Sequence, residues 1–261
     1  MNNFSNINLR QIKALSEISE EGLESIQQNS QLVKYNIGQI ISQKDVIPDK
    51  IICILEGQAR LLSSALGRVE TVVKLGVGVF VGLGSFLKVD GCEEITAATE
   101  ILCIAIPDKI ILDLYKKEES FYKWCIKTIQ AGEVQSIVNQ LLSQSIREDI
   151  NTRNAFNEIS KNHILISKKN EEIIKPSQDK TLISLSNNIK GIEPNSVLEK
   201  ETLIKTNGPL DARFIEIPNK LYNEFFQKQI AIQSSAEPEK QSYSQNEDAE
   251  SAPFLPEKSG I

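Results

Sequence analysis

The sequence predicts a mainly β protein with flanking helices: an antiparallel β-roll of jelly-roll type, then a second, smaller β-rich module. Three observations predict it. Short apolar runs recur at roughly ten-residue spacing: Leu32-Val-Lys-Tyr35, Ile51-Ile-Cys-Ile-Leu55, Ala59-Arg-Leu-Leu62, Val69-Glu-Thr-Val-Val73, Ile95-Thr-Ala-Ala98 and Ile101-Leu-Cys-Ile-Ala-Ile106. Turn-forming residues punctuate them at Gly38, Pro48-Asp49, Glu56-Gly57, Gly67-Arg68 and Asp90-Gly91. A glycine-rich segment, Gly76-Val-Gly-Val-Phe-Val-Gly-Leu-Gly-Ser-Phe-Leu87, interrupts the series just before its last strands. That is where a β-roll would carry a ligand cassette.

Residues 1–31 read as a helical lead-in. Ile12, Leu15 and Ile18 share one face, and Ser19-Glu-Glu21 is a helix start that carries Leu23 and Ile26. The roll is expected over 32–117. Pro107-Asp108 then turns strand into helix, since proline lacks only an N–H that a first turn leaves unused and Asp108 suits the positive dipole end. A helical segment follows over 118–162, where Phe121, Trp124, Cys125, Ile129, Ile137, Val138, Leu141 and Leu142 form one broad apolar stripe. Gly132 interrupts this stripe and the spacing is not a clean heptad, so packing back onto the roll is expected over a dimer seam.

The second module, 163–226, is read from His163-Ile-Leu-Ile166, Glu172-Ile-Ile174, Thr181-Leu-Ile-Ser-Leu185, Ser196-Val-Leu198 and Ala212-Arg-Phe-Ile-Glu-Ile217. Ile215-Glu-Ile-Pro-Asn-Lys-Leu221 echoes Ile104-Ala-Ile-Pro-Asp-Lys-Ile110, so an incomplete second roll is one reading. From Gln227 the composition turns polar and acidic, and 227–261 is expected to be a disordered linker or tail.

Residues 32–107 resemble the cyclic-nucleotide-binding β-roll family. Gly38-Gln-Ile-Ile41 matches its glycine turn, and Ile54-Leu-Glu-Gly-Gln-Ala-Arg60 its Leu-Glu-Gly-x-x-Arg hairpin. The family's phosphate-binding cassette reads G-D-x-F-G-E-x-x-L-L and is followed by Arg-Ala. Matching Gly78 and Gly82 to the cassette glycines sets Val79 at the Asp, Val81 at the Phe and Leu83 at the Glu, with Phe86 and Leu87 on the paired leucines. The resemblance implies a cassette made of Gly78, Phe80, Val81, Gly82, Leu83, Gly84, Ser85, Glu93, Glu94 and Thr96. It also implies that the cassette is degenerate. Leu83 replaces the family's ribose-binding Glu, and Cys92-Glu93-Glu94 stands where its phosphate-pairing Arg belongs, so a phosphodiester would meet carboxylates. No cofactor is expected, and cyclic nucleotide is not the expected ligand.

Arg60-Leu-Leu62, Gly82-Leu-Gly-Ser-Phe-Leu87, Cys92-Glu-Glu-Ile-Thr-Ala97 and Asn207-Gly-Pro-Leu-Asp-Ala-Arg-Phe-Ile-Glu-Ile-Pro218 resemble the N-terminal regulatory region of cyanobacterial peptidase-containing ABC exporters, of the heterocyst-differentiation and bacteriocin type. That resemblance implies partners: the peptidase, transmembrane and ATPase parts of such an exporter. Its peptidase domain would be expected where this chain stops.

Other chemistry is not signalled. Net charge is −6 and the pI about 5.1, which argues against nucleic-acid partners. No helix-turn-helix with a basic recognition helix follows the helical segment. The four cysteines are dispersed with no CxxC, His163 is the single histidine, and no metal site is expected. Gly76-Val-Gly-Val-Phe-Val-Gly82 has no βαβ context, and no GxxxxGK[ST] exists. The N-terminus has no basic, apolar leader, and the longest uncharged apolar run, Leu75–Leu87, is too short to span a bilayer. A non-enzymatic regulatory or interaction region is expected. It would sit in the cytoplasm, held at the inner membrane face through its partner; a small-molecule sensor is the alternative and a transcription regulator the third reading.

Overall fold

The structure is a computed structural model and describes residues 7–64, 67, 69–144 and 150–226. These lie within one compact unit, Met1–Lys228. Two 3-10 turns, Leu9–Gln11 and Lys13–Leu15, lead into α1 (Glu20–Asn29). Ser19 caps α1 by accepting the Gly22 N–H at 3.1 Å, with Glu20 and Glu21 in the first turn. Leu15, Ile18 and Ile26 are the buried face of this lead-in.

The first roll comprises β1 (Gln31–Tyr35), β2 (Ile40–Ser42), β3 (Lys50–Glu56), β4 (Ala59–Ser63), β5 (Glu70–Leu75), β6 (Phe80–Val81), a short helix α2 (Leu83–Lys88), β7 (Ile95–Ala97) and β8 (Ile101–Pro107). All its pairings are antiparallel and build two four-stranded sheets, β1-β8-β3-β6 and β2-β7-β4-β5. The β3–β4 hairpin needs its glycine. Gly57 has φ +85°, and a Cβ there would stand 2.1 Å from the Glu100 carbonyl oxygen. Inward residues Ile52, Ile54, Leu61, Val72, Val81, Ile95, Ala97 and Cys103 fill the space between the sheets.

The expected single helical stripe is divided among α3 (Asp108–Lys117), α4 (Glu119–Lys127), α5 (Ala131–Gln144) and α6 (Thr152–Asn162). Phe121 and Cys125 pack with the lead-in and the outer face of β3, whereas Val134, Ile137, Val138, Leu141 and Leu142 pack on the roll interior. The apolar residues of α5 are therefore core of this same chain. His163 caps α6 and precedes the next strand; its Nδ1 lies 2.9 Å from the Ser160 carbonyl.

The second module repeats the first roll in reduced form. It consists of β9 (Ile164–Lys168), β10 (Ile173–Ile174), β11 (Lys180–Ser184), β12 (Val197–Leu198), β13 (Thr202–Leu203), β14 (Ala212–Pro218) and α7 (Asn219–Phe226). Its sheets run β12-β11-β14-β9 and β10-β13, the orders of β6-β3-β8-β1 and β2-β7. Registers match as well: Tyr35↔Ile101 corresponds to Lys168↔Ala212, Lys50↔Pro107 to Lys180↔Pro218, and Ile40↔Thr96 to Ile173↔Leu203. Even the turns agree. Asn36 N–H donates to the Gln39 side chain at 2.7 Å and Lys169 N–H to Glu172 at 3.1 Å, while Gly38 (φ +82°) and Glu171 (φ +65°) share the left-handed conformation. Asp108 N–H reaches the Asp49 carbonyl at 2.9 Å, and Asn219 N–H that of Asp179 at 3.1 Å.

Among the described residues the second roll has no counterpart of β4, β5 or α2. Only Glu199-Lys-Glu201 joins β12 to β13. The two rolls share one apolar cluster, in which Leu61, Val72 and Val138 meet Ile183, Leu185, Ile215, Leu221 and Phe225. The tail expected over 227–261 lies outside the described residues, as do 145–149 at the start of the polar stretch before α6.

Candidate functional site: a cassette occupied by Glu93

The glycine-rich segment supplies the turn into β6 and then α2. Gly78 has φ +82° and donates its N–H to the Ile54 carbonyl at 2.8 Å. Gly82, φ +89°, is the residue from which α2 starts, and Val89 ends the helix in the left-handed conformation. Phe80 and Val81 point to opposite sides of the sheet, Phe80 into the helix-facing cluster and Val81 into the roll interior.

Leu83 is fully buried, with Phe80, Leu87, Ile51 and Leu15 in the helix-facing cluster. The residue aligned with the ribose acceptor thus belongs to the core, and a carboxylate there would be buried among apolar groups. Ser85 is also buried; its Oγ accepts the Cys92 N–H at 3.1 Å and lies 3.6 Å from Cys92 Sγ. Lys88, 0% exposed, closes α2 through Asp90 at 2.7 Å. Thr96 Oγ1 accepts from Arg60 Nε at 2.9 Å, and Glu94 is half-buried with its carbonyl bonded to Leu62 N–H.

From the sequence, Glu93 is expected as a carboxylate facing a ligand phosphate; the structure places it inside the fold. It is 2% exposed, and the backbone N–H groups of Gly82, Gly84 and Ser85 beside its carboxyl favour the charged form. Burial pushes its pKa up to about 8, the Gly82 N–H opposing this and the nearby Glu133 adding to it. Near neutral pH burial therefore favours the protonated carboxyl, whose Oε2 is buried without a hydrogen-bond partner. Two glycines make room for it. A Cβ on Gly84 would come within 2.9 Å of Glu93 Oε1, and one on Gly132 within 2.1 Å of Glu93 Cγ.

Behind Glu93 lies a buried ion pair that sequence reasoning missed. Arg213 of β14, 2% exposed, grips Glu133 of α5, 0% exposed, in a bidentate pair: Nε to Oε1 at 2.6 Å and Nη2 to Oε2 at 2.8 Å. Its Nη1 donates to the Cys125 carbonyl at 2.8 Å and Nη2 to that of Thr128 at 3.3 Å. Burial works against the guanidinium charge, yet Glu133 holds its pKa above the ordinary value. The partners are 80 residues apart in sequence. The only signal for either was a charged residue inside an apolar pattern, Arg213 in Ala212-Arg-Phe-Ile-Glu-Ile217 and Glu133 at the start of the α5 stripe.

All four thiols are buried. Burial raises the thiol pKa of Cys53 and Cys125 to about 12 and that of Cys103 to about 11, and pushes Cys92 well above its usual value. No cluster of three or more metal-ligating side chains and no helix long and apolar enough to cross a membrane occurs among the described residues.

No protein-family model matches the chain, and no curated protein matches it. Solved structures do. A candidate cyclic nucleotide-binding protein from Geobacter metallireducens GS-15 is 17% identical, with 51% of this chain and 92% of that one covered and a TM-score of 0.39. The catabolite activator protein of Thermus thermophilus is 18% identical over 42% of this chain and 53% of that one, at 0.38. The regulatory domain of Toxoplasma gondii PKA, crystallised with cAMP, is 10% identical over 83% and 88%, at 0.40. The strand orders and registers described above make the chain itself an antiparallel β-roll with flanking helices and a reduced second roll.

Proposed function

We propose that this chain is a non-catalytic regulatory or interaction region in which the cassette of a cyclic-nucleotide-binding-like roll is filled from within. The observation that carries this reading is the Glu93 side chain itself, 2% exposed and packed so closely on Gly84 and Gly132 that neither could carry a Cβ beside it. A ligand anion would have to displace a fully packed side chain, and the residue aligned with the ribose acceptor, Leu83, is core. We further propose that its partners are the peptidase, transmembrane and ATPase parts of an ABC exporter of peptides or proteins, with this chain at the cytoplasmic face. That part rests on the motif resemblance around Arg60, Gly82, Cys92 and Asn207.

Titration calorimetry of the unmodified protein with cyclic AMP and cyclic GMP tests the first part. Two missing charge-assisted bonds of ~1.5–3 kcal/mol each put the expected dissociation constants no tighter than about millimolar. Micromolar binding of either nucleotide overturns it. Co-purification with an exporter encoded beside this chain tests the second part: association is expected, and its absence at micromolar concentrations counts against the assignment.

A further inference from the structure

The second roll touches the cassette at both ends. At the C-terminal end of α2, the Asn187 N–H, from the connection after β11, donates to the Lys88 carbonyl at 2.8 Å. At the other end the contact runs through α5. Arg213 holds Glu133, and Glu133 Oε2 also accepts the Gln130 N–H at 2.8 Å, which fixes the residue just before α5. A Cβ on Gly84 would lie 3.1 Å from Gln130 Cβ, so this residue packs directly on the cassette. Gly132, in the first turn of α5, backs the Glu93 side chain. A third tie, Asn195 Nδ2 to Ser136 Oγ at 2.9 Å, holds α5 to the second roll further along.

We infer that the second roll is a latch on the first. Through Arg213 and Asn187 it holds α5 and α2 together over Glu93 and so keeps the cassette closed. Building on the closed-cassette reading above, this assigns a regulatory role to a roll that lacks a cassette of its own. Arg213 is the second-roll side chain that bonds Glu133 among the described residues, and its four side-chain hydrogen bonds converge on the two sides of the α4–α5 junction. Removing the fork frees the start of α5 and with it the wall behind Glu93. Asn187 acts independently, at an exposed position and through its backbone.

The test is residue-resolved amide exchange on the full chain, together with thiol labelling of Cys92, comparing the unmodified protein with Arg213→Met and Asn187→Pro. The latch predicts that exchange at Gly82, Gly84 and Ser85 quickens by about tenfold or more and that Cys92 becomes reactive, while the β1–β8 amides keep their protection. Arg213→Met leaves Glu133 buried without its cation and could lose the fold outright, which Asn187→Pro does not risk in the same way. Unchanged cassette exchange in Asn187→Pro, or equal loss of protection in the cassette and in β1–β8 in both variants, overturns the proposal. These readouts need no nucleotide, so micromolar nucleotide binding by the unmodified protein would sink the closed-cassette reading while leaving the latch to stand or fall on exchange.

Discussion

At the scale of single residues the cassette turns on Glu93. Its folded pKa of about 8 stands above the ordinary 4.5, so between those values the folded chain keeps a proton that the unfolded chain has released. Stability should therefore fall as pH rises through that window and level off above about 8, by roughly 2–5 kcal/mol in total. The titratable groups that bear on Glu93 are its neighbour Cys92 and, opposite, Glu133 with its partner Arg213. Glu93→Gln keeps the hydrogen bonding and should abolish most of the slope; urea midpoints at pH 5 and pH 8.5 read it. A slope that survives the substitution places the proton elsewhere. Gly132→Ala is a second trial. In an ordinary helix the change gains about 1 kcal/mol, but here the new methyl overlaps Glu93 Cγ, so a loss of ~1–3 kcal/mol is expected in chemical denaturation. Gly132 stood out in the sequence as a glycine inside a helical stripe. Its reason, the side chain of Glu93, was not legible, because nothing in a local pattern says which distant residue fills the missing volume.

At the scale of elements, the longer strands were legible because each alternates or runs apolar between strong turn residues. Of the two-residue strands, β10 and β12 showed as paired apolar residues, whereas β6 and α2 were merged in one glycine-rich run and β13, a single Thr-Leu pair, carried no pattern. The helical stripe was read as continuous because its apolar residues keep near-helical offsets across Thr128-Ile-Gln130. The break there combines a tertiary and a local contact: the Thr128 carbonyl accepts from Arg213, and the Gln130 N–H donates to the Glu133 side chain three residues on, capping the start of α5. The preference for packing over dimerisation has a direct check. Ile137 is fully buried against the roll, so Ile137→Ala should cost about 2–5 kcal/mol. Analytical ultracentrifugation should show the association state unchanged. A change in association without loss of stability would assign α5 to a seam between chains.

At the scale of the molecule, the repeat was half visible. The Ile-Pro-Asx-Lys echo marked two strand-to-helix junctions, and these are the equivalent β8–α3 and β14–α7 corners. What the echo could not convey is that the rolls are not separate bodies. Ile183, Leu185, Ile215 and Ile217 lie in the same cluster as Leu61 and Val138, so neither roll has a complete interior alone. Calorimetry should record one cooperative transition, and two resolved transitions would contradict the shared interior.

The contact between Glu93 and Gly132 also shapes how this protein can vary. With Cγ only 2.1 Å from the place a Cβ would take, no side chain can be introduced at 132 while Glu93 keeps its position. Shortening Glu93 first leaves a void beside Gly84 and Gly132 and bares the N–H groups of Gly82, Gly84 and Ser85. Each single step is downhill in stability, and only a paired exchange leads across. Positions 93 and 132 therefore behave as one heritable unit, and an open arrangement around Gly84 and Gly132 is separated from this one by a valley rather than by a walk of neutral steps.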